Sequence, residues 1–186
     1  MNENPPHVVG ELEAAGYRLP LYAYNRPKEI DTKEIPHVAV VVVGAGLAGL
    51  TFANDLATRG VRCLLLDEDD TVGVRGASSR GIAYATKTLE ILGRIGAVDS
   101  VMEKGVTWTV GKTLDLEDVI NSIDLSLQTR SIYPPFVNIQ QFYVEAAMVE
   151  SAYAKGLDIR WKSKVVTAKV EDERVTLTVE TPDGSY

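Results

Sequence analysis

Cysteine is nearly absent from this chain. Cys63 is the only one among 186 residues, so no disulfide can form within it. The thiol lies inside an apolar run and reads as a small core residue rather than a reactive group. Histidine is almost as scarce, with His7 and His37 alone, which leaves a zinc site no ligand cluster to draw on. Positive charge is in deficit: 19 Lys and Arg face 26 Asp and Glu, a net charge of −7. That balance argues against nucleic acid or an anionic membrane as partner. Long hydrophobic runs are missing too. The longest, Val38 to Val43 with the glycine turn behind it, falls far short of the roughly 20 residues that span a bilayer. The N-terminus, MNENPPHVVGELEAAG, has acids and prolines where a signal peptide needs a basic patch and an apolar core. These absences together read as a cytoplasmic protein. The remaining composition, 45% hydrophobic and 24% charged, is that of an ordinary globule long enough for one core.

What is present is concentrated after Val38. The run Val38-Ala39-Val40-Val41-Val42-Val43 leads into Gly44-Ala45-Gly46-Leu47-Ala48-Gly49. A helix is predicted next, with Ala53 and Leu56 on one face and Gly60 at its end. A second apolar run, Val61 to Leu66, stops at Asp67. Strand, GxGxxG, helix, strand and acid in this order form the dinucleotide-binding pattern in its required context. Gly44 makes the tight turn. Gly46 leaves room for a pyrophosphate against the backbone. Gly49 lets the helix lie close on the sheet. The helix N-terminus presents free N–H groups and partial positive charge to phosphates. Asp67 can accept hydrogen bonds from ribose hydroxyls, and its charge disfavours a 2′-phosphate, hence NADP.

Around this unit the chain divides in two. Residues 1–36 carry Pro5, Pro6, Pro20, Pro27 and Pro36 and read as an irregular lead-in, with at most a short helix near Glu11 to Ala15. Tyr17, Tyr22 and Tyr24 are candidates to pin it to the domain; a disordered tail is the alternative. Residues 37–186 read as one unit. A helix is predicted from about Ala85 to Ile95, with strands over 106–133 (Val106, Trp108, Val110; Ile123, Leu125, Leu127). A break follows at Pro134-Pro135, then a helix from about Ile139 to Ala154. Three strands, Ile159–Trp161, Val165–Val170 and Val175–Val179, suggest a small antiparallel meander. The fold class is therefore α/β: a Rossmann-like βαβ with an inserted helix and a three-stranded antiparallel meander. Its parallel sheet is short of strands, so the fold reads as incomplete.

Two further stretches narrow the reading. One is Ser79-Arg80-Gly81-Ile82 with Thr88-Leu89-Glu90-Ile91-Leu92 and Gly96. The other is Asn138-Ile139-Gln140-Gln141-Phe142-Tyr143-Val144-Glu145, leading to RWKSKVV and VTLTVETPDG. With the glycine turn, they make the chain from Val38 to Tyr186 resemble the N-terminal part of the class A FAD-dependent aromatic hydroxylases. These are the p-hydroxybenzoate hydroxylase-like flavoprotein monooxygenases, and the 3-(3-hydroxyphenyl)propionate hydroxylase-like branch is the nearest. The resemblance implies FAD as cofactor, NADH or NADPH as reductant, and transfer of one oxygen atom from O₂ to a small phenolic ring.

By position, the resemblance implies that Gly44, Gly46, Leu47, Ala48 and Gly49 hold the FAD pyrophosphate. Asp67, with Glu68 beside it, would hold the adenosine ribose. Arg80 would lie along the flavin side, Gln141 near the ribityl and phosphate region, and the backbone of Val165 against the adenine. For Arg80 the plain alternative is a solvated surface arginine, and for Gln141 a local helix cap. Glu145 reads as structural. No catalytic residue and no metal ligand is assigned. The family usually has Pro where Leu47 stands and Glu where Asp67 stands. Its members are much longer, and their later Gly-Asp motifs and substrate domain have no counterpart here. The chain alone is thus expected to be inactive, with the ring-substrate site outside it. Two other readings stay open: a non-catalytic adenine-dinucleotide-binding fragment, and another FAD or NAD oxidoreductase sharing the glycine turn.

Overall fold

The computed structural model describes residues 7–73, 81–126 and 130–186. The N-terminal segment differs from the irregular lead-in expected of it. Strands β1 (Val8–Ala14) and β2 (Tyr17–Tyr22) pair antiparallel as a hairpin, and a short helix, α1 (Glu29–Thr32), follows. Glu11 to Ala14, where a short helix was expected, is strand. The turn is built by Ala15 and Gly16, both at positive φ (50° and 80°), the conformation that two-residue hairpin loops require. Pro20 was read as a breaker. It sits in β2, whose second side, among the described residues, carries no further strand but an isolated bridge from Leu21 to Thr71 and the Tyr22 amide bond to the Asp70 carbonyl, so its missing N–H costs the ladder little.

The valine run yields β3 (Val41–Val43), and Gly44, at φ 98°, turns the chain into α2 (Leu47–Thr58). Gly60, at φ 74°, ends that helix and releases β4 (Leu64–Leu66), which lies parallel to β3. Beyond the glycine-bearing stretch come β5 (Ala83–Ala85), α3 (Thr86–Arg94) and α4 (Val98–Lys104), the last not foreseen in the sequence. β6 (Val106–Trp108) leads into a two-stranded ribbon of β7 (Val110–Asp115) and β8 (Asp118–Asp124). After the prolines, β9 (Phe136–Asn138) pairs antiparallel with both β5 and β6. Leu127 lies outside the described residues.

Helix α5 (Gln141–Ala154) then crosses back, and β10 (Asp158–Arg160) pairs parallel with β4. Here the expectation is corrected. Ile159 and Arg160 do not open an antiparallel meander; they add a third parallel strand, in the order β10-β4-β3. The reason is the crossover itself. A 14-residue helix between two strands satisfies the geometry of parallel pairing, whereas antiparallel neighbours are joined by tight turns. The antiparallel meander consists of β11 (Lys164–Val170), β12 (Val175–Thr181) and β13 (Gly184–Ser185). The mixed α/β class stands.

The core lies between the parallel sheet and α5. Leu50, Ala53, Leu65, Met148, Val149 and Ala152 have no exposed surface. A buried polar side chain, Asn54, is matched inside it. Asn54 donates to the Leu50 and Met148 carbonyls and accepts from Lys155 Nζ at 3.0 Å, which ties α2 to α5. No helix among the described residues is long and apolar enough to cross a membrane.

Candidate functional site: the glycine turn

The turn at the C-terminal end of β3 is fixed on two sides. The Gly44 amide donates to the Leu66 carbonyl at 2.7 Å, and the Ala45 amide donates to Asp67 Oδ2. The acid that ends the second strand is thus bonded directly to the turn that ends the first. Asp67 Oδ1 accepts from the Asp69 amide at 2.8 Å. Each oxygen keeps a lone pair for a further donor. Burial raises the Asp67 carboxyl above its usual range, opposed by the two amides.

The three glycines are not equivalent. A Cβ on Gly49 would collide with the Gly44 carbonyl oxygen and press on Val42 Cγ1 at 3.3 Å. A side chain there is excluded by the protein itself. A Cβ on Gly46 would find its nearest neighbour, Glu145 Oε1, at 4.0 Å. Gly46 also has ordinary extended torsions, φ −82° and ψ −177°. Neither packing nor backbone strain demands glycine at 46, so what it keeps open is space beside the helix N-terminus. Gly46 is the N-cap, no side chain caps it, and no acid stands in the first turn of α2. The amides of that turn are the groups a helix leaves without internal partners.

A residue read only as structural lies under this turn. Glu145 is 1% exposed. Its Oε2 accepts from the Gly73 amide at 2.9 Å and its Oε1 from Gln141 Nε2 at 2.8 Å; the Leu47 amide also donates to it. Burial pushes its carboxyl up, the three donors oppose this, and the charge of Asp67 adds to the rise. The available signal in the sequence was a carboxylate on the apolar face of α5, one turn after Gln141.

Gln141 does not cap its helix. Its Oε1 accepts from the Gly81 amide at 3.2 Å while its amide nitrogen holds Glu145. Glu68 is exposed and ion-paired with Lys164 at 3.2 Å. Val165 is half-buried on β11, opposite Val179. It lies two residues beyond Ser163, whose amide donates to the Asp67 carbonyl at 2.7 Å. Ala48 is exposed and Leu47 half-buried. Arg80 lies outside the described residues. Asp67, the turn, Glu145 and Gln141 thus form one connected set, and Glu68 points into a different pairing. An open hollow of about 330 Å³ is walled by Glu68, Asp69, Asp70, Lys162, Glu180, Thr181 and Pro182, none of them a member of this set. Its acids make it a poor seat for phosphate. No group of three or more His, Cys, Asp or Glu that could hold a metal occurs among the described residues.

Comparison with known proteins places relatives of this chain among hydroxylases and monooxygenases. The chain is 29% identical over 153 residues to a 3-(3-hydroxyphenyl)propionate/3-hydroxycinnamic acid hydroxylase of Mycolicibacterium smegmatis, covering 79% of this chain and 26% of that protein. It is 30% identical over 145 residues to a rifampicin monooxygenase of Streptomyces venezuelae, covering 78% and 29%. Among solved structures, p-nitrophenol 4-monooxygenase from Pseudomonas putida superimposes with a TM-score of 0.71 at 30% identity, over 80% of this chain and 38% of that one. The chain therefore spans about a quarter to two-fifths of the length of these relatives. The FAD binding domain family matches residues 37–185, and the chain belongs to that family.

Proposed function

We propose that residues 37–186 are the N-terminal portion of the FAD-binding domain of a cytoplasmic, flavin-dependent aromatic hydroxylase, and that they hold the ADP part of the cofactor. The observation that carries this is the contrast at the glycine turn. Gly49 is required by the fold, whereas nothing among the described residues requires Gly46, which leaves a cradle that a side chain would fill. The cradle opens on a helix N-terminus whose N-cap residue has no side chain to offer, a natural seat for a pyrophosphate. Gly44, Gly46, Leu47, Ala48 and Gly49 would surround it. Asp67 would accept from the ribose hydroxyls, with Glu68 at its rim, and Val165 would border the adenine. Gln141 would act beside the phosphates through Glu145, and Arg80 would lie toward the flavin. The chemistry that FAD supplies when bound is acceptance of a hydride from NADH or NADPH and activation of O₂ for transfer to a small phenolic ring. The relatives named above, hydroxylases and monooxygenases, support that assignment.

The test is discrimination at the ribose. Wild-type protein is expected to bind ADP and to reject 2′-phosphorylated ADP, because a half-buried carboxylate would face the added phosphate. Asp67→Asn should weaken ADP binding by about 1.5–3 kcal/mol, the range for a hydrogen bond to a charged group, and should narrow the preference. Isothermal titration of both ligands against both proteins, with circular dichroism to confirm the fold, decides it. Equal affinity of the wild type for the two ligands would remove Asp67 from this role.

A further inference from the structure

Glu145 is an unusual neighbour for a phosphate site. It is a carboxylate with 1% exposure, on the inner side of the turn that would receive a dianionic pyrophosphate. Its hydrogen-bond partners, Gln141, Gly73 and Leu47, are all uncharged amides. The titratable groups that face it are Asp67 from the end of β4, Tyr84 of β5 and Tyr22 of β2. Among the described residues, none of these is a cation. A buried carboxylate with no counter-ion among the described residues is pushed further toward its neutral form when more negative charge arrives beside it.

We propose that Glu145 takes up one proton from solvent when a pyrophosphate binds at the glycine turn, so that dinucleotide affinity is coupled to pH. This rests on the dinucleotide reading above. Two effects act in the same direction. Protonation removes a like charge from beside the phosphates. It also weakens the hold of Glu145 on the Leu47 amide, releasing that N–H of the α2 N-terminus toward the ligand. Asp67 is the wrong acceptor for this proton. It is less buried than Glu145, and it must remain ionised to accept from ribose hydroxyls. The sign follows from linkage: the protonated form binds more tightly, so affinity falls as pH rises, by at most tenfold per pH unit.

ADP-ribose is the suitable probe, because its pyrophosphate has no group that titrates near neutrality. Calorimetric titration of the whole chain in two buffers of different ionisation enthalpy, repeated from pH 6 to 9, gives the number of protons taken up. The expected result is an uptake above half a proton somewhere in that range, with Glu145→Gln binding at a pH-independent affinity and no uptake. Infrared difference spectra of the wild type supply a readout that needs no variant: ligand addition should bring in the C=O stretch of a buried carboxylic acid. Binding without proton uptake or that band overturns the inference alone. Uptake that persists undiminished in Glu145→Gln also overturns it, assigning the proton to Asp67. Absence of any binding at every pH removes the dinucleotide reading, and this inference with it.

Discussion

Gly46→Val is expected to abolish dinucleotide binding while leaving the protein folded; Gly49→Ala is expected to lose both binding and stability. The difference comes from what each Cβ meets. At position 46 the torsions suit any residue and the nearest atom is Glu145 Oε1 at 4.0 Å. The only loss to the apo protein is a poorer N-cap, on the order of 1 kcal/mol or less. The branched side chain then fills the space beside the helix N-terminus. ADP affinity should drop at least a hundredfold, or about 2.7 kcal/mol. At position 49 the added carbon runs into the Gly44 carbonyl oxygen. That oxygen belongs to backbone held at Leu66 by the Gly44 amide, so neither side can yield cheaply. Overpacking of this kind costs about 1–3 kcal/mol and more where backbone must move. Thermal unfolding of the apo proteins and ADP titration, run together, separate the two outcomes. If Gly46→Val bound ADP as well as wild type, the cradle at 46 would not be a phosphate site.

The glycine turn was legible because its demands are local. Gly44, Gly60 and the strand–helix–strand order are set by backbone conformation and by periodicities that a short window of sequence carries. The place of Asp67 just past the second strand, against the turn, was legible by spacing. The remainder depends on contacts distant in sequence. Ile159 has the same alternation whether its strand pairs parallel or antiparallel; only the α5 crossover, which returns the chain beside Leu65, decides between them. Glu145 meets Gly73 across 72 positions, and a single acid on an apolar helix face does not name its partners. The hairpin at Val8–Tyr22 was hidden by Pro20 within it and by the prolines that flank it. Proline argues against a central strand but is indifferent to an edge, and nothing local showed that β2 would be one. Glu68, assigned to the ribose by its place beside Asp67, is ion-paired with Lys164 across nearly a hundred positions, a contact that no local pattern shows.

Tyr22→Ala should destabilise the protein by about 3–5 kcal/mol, the cost of truncating a large buried aromatic, although residue 22 lies before the stretch that matches the FAD binding domain family. Tyr22 is 1% exposed, and its ring stacks on Trp161 at 4.5 Å between centroids and 11° between planes. Its amide donates to the Asp70 carbonyl at 2.8 Å. Around it, Thr71 Oγ1 donates to the Pro20 carbonyl at 2.7 Å, and the His7 ring stacks on Tyr153 at 3.9 Å. The hairpin is therefore part of the hydrophobic core and covers Trp161 at the end of β10. At roughly 2–4 °C per kcal/mol for a chain of this size, the midpoint of thermal unfolding should fall by the order of 10 °C. Tyr22→Phe should act oppositely. The hydroxyl is buried with no hydrogen-bond partner among the described residues, and burial drives its ionisation far up, so it stays a neutral, unpaired polar group. Removing it while keeping the ring spares a desolvation penalty of about 1–3 kcal/mol, and stability should hold or rise. A Tyr22→Ala midpoint within 2 °C of wild type would show that the hairpin is dispensable to the core. A large loss in Tyr22→Phe would show instead that the hydroxyl has a partner within the folded chain.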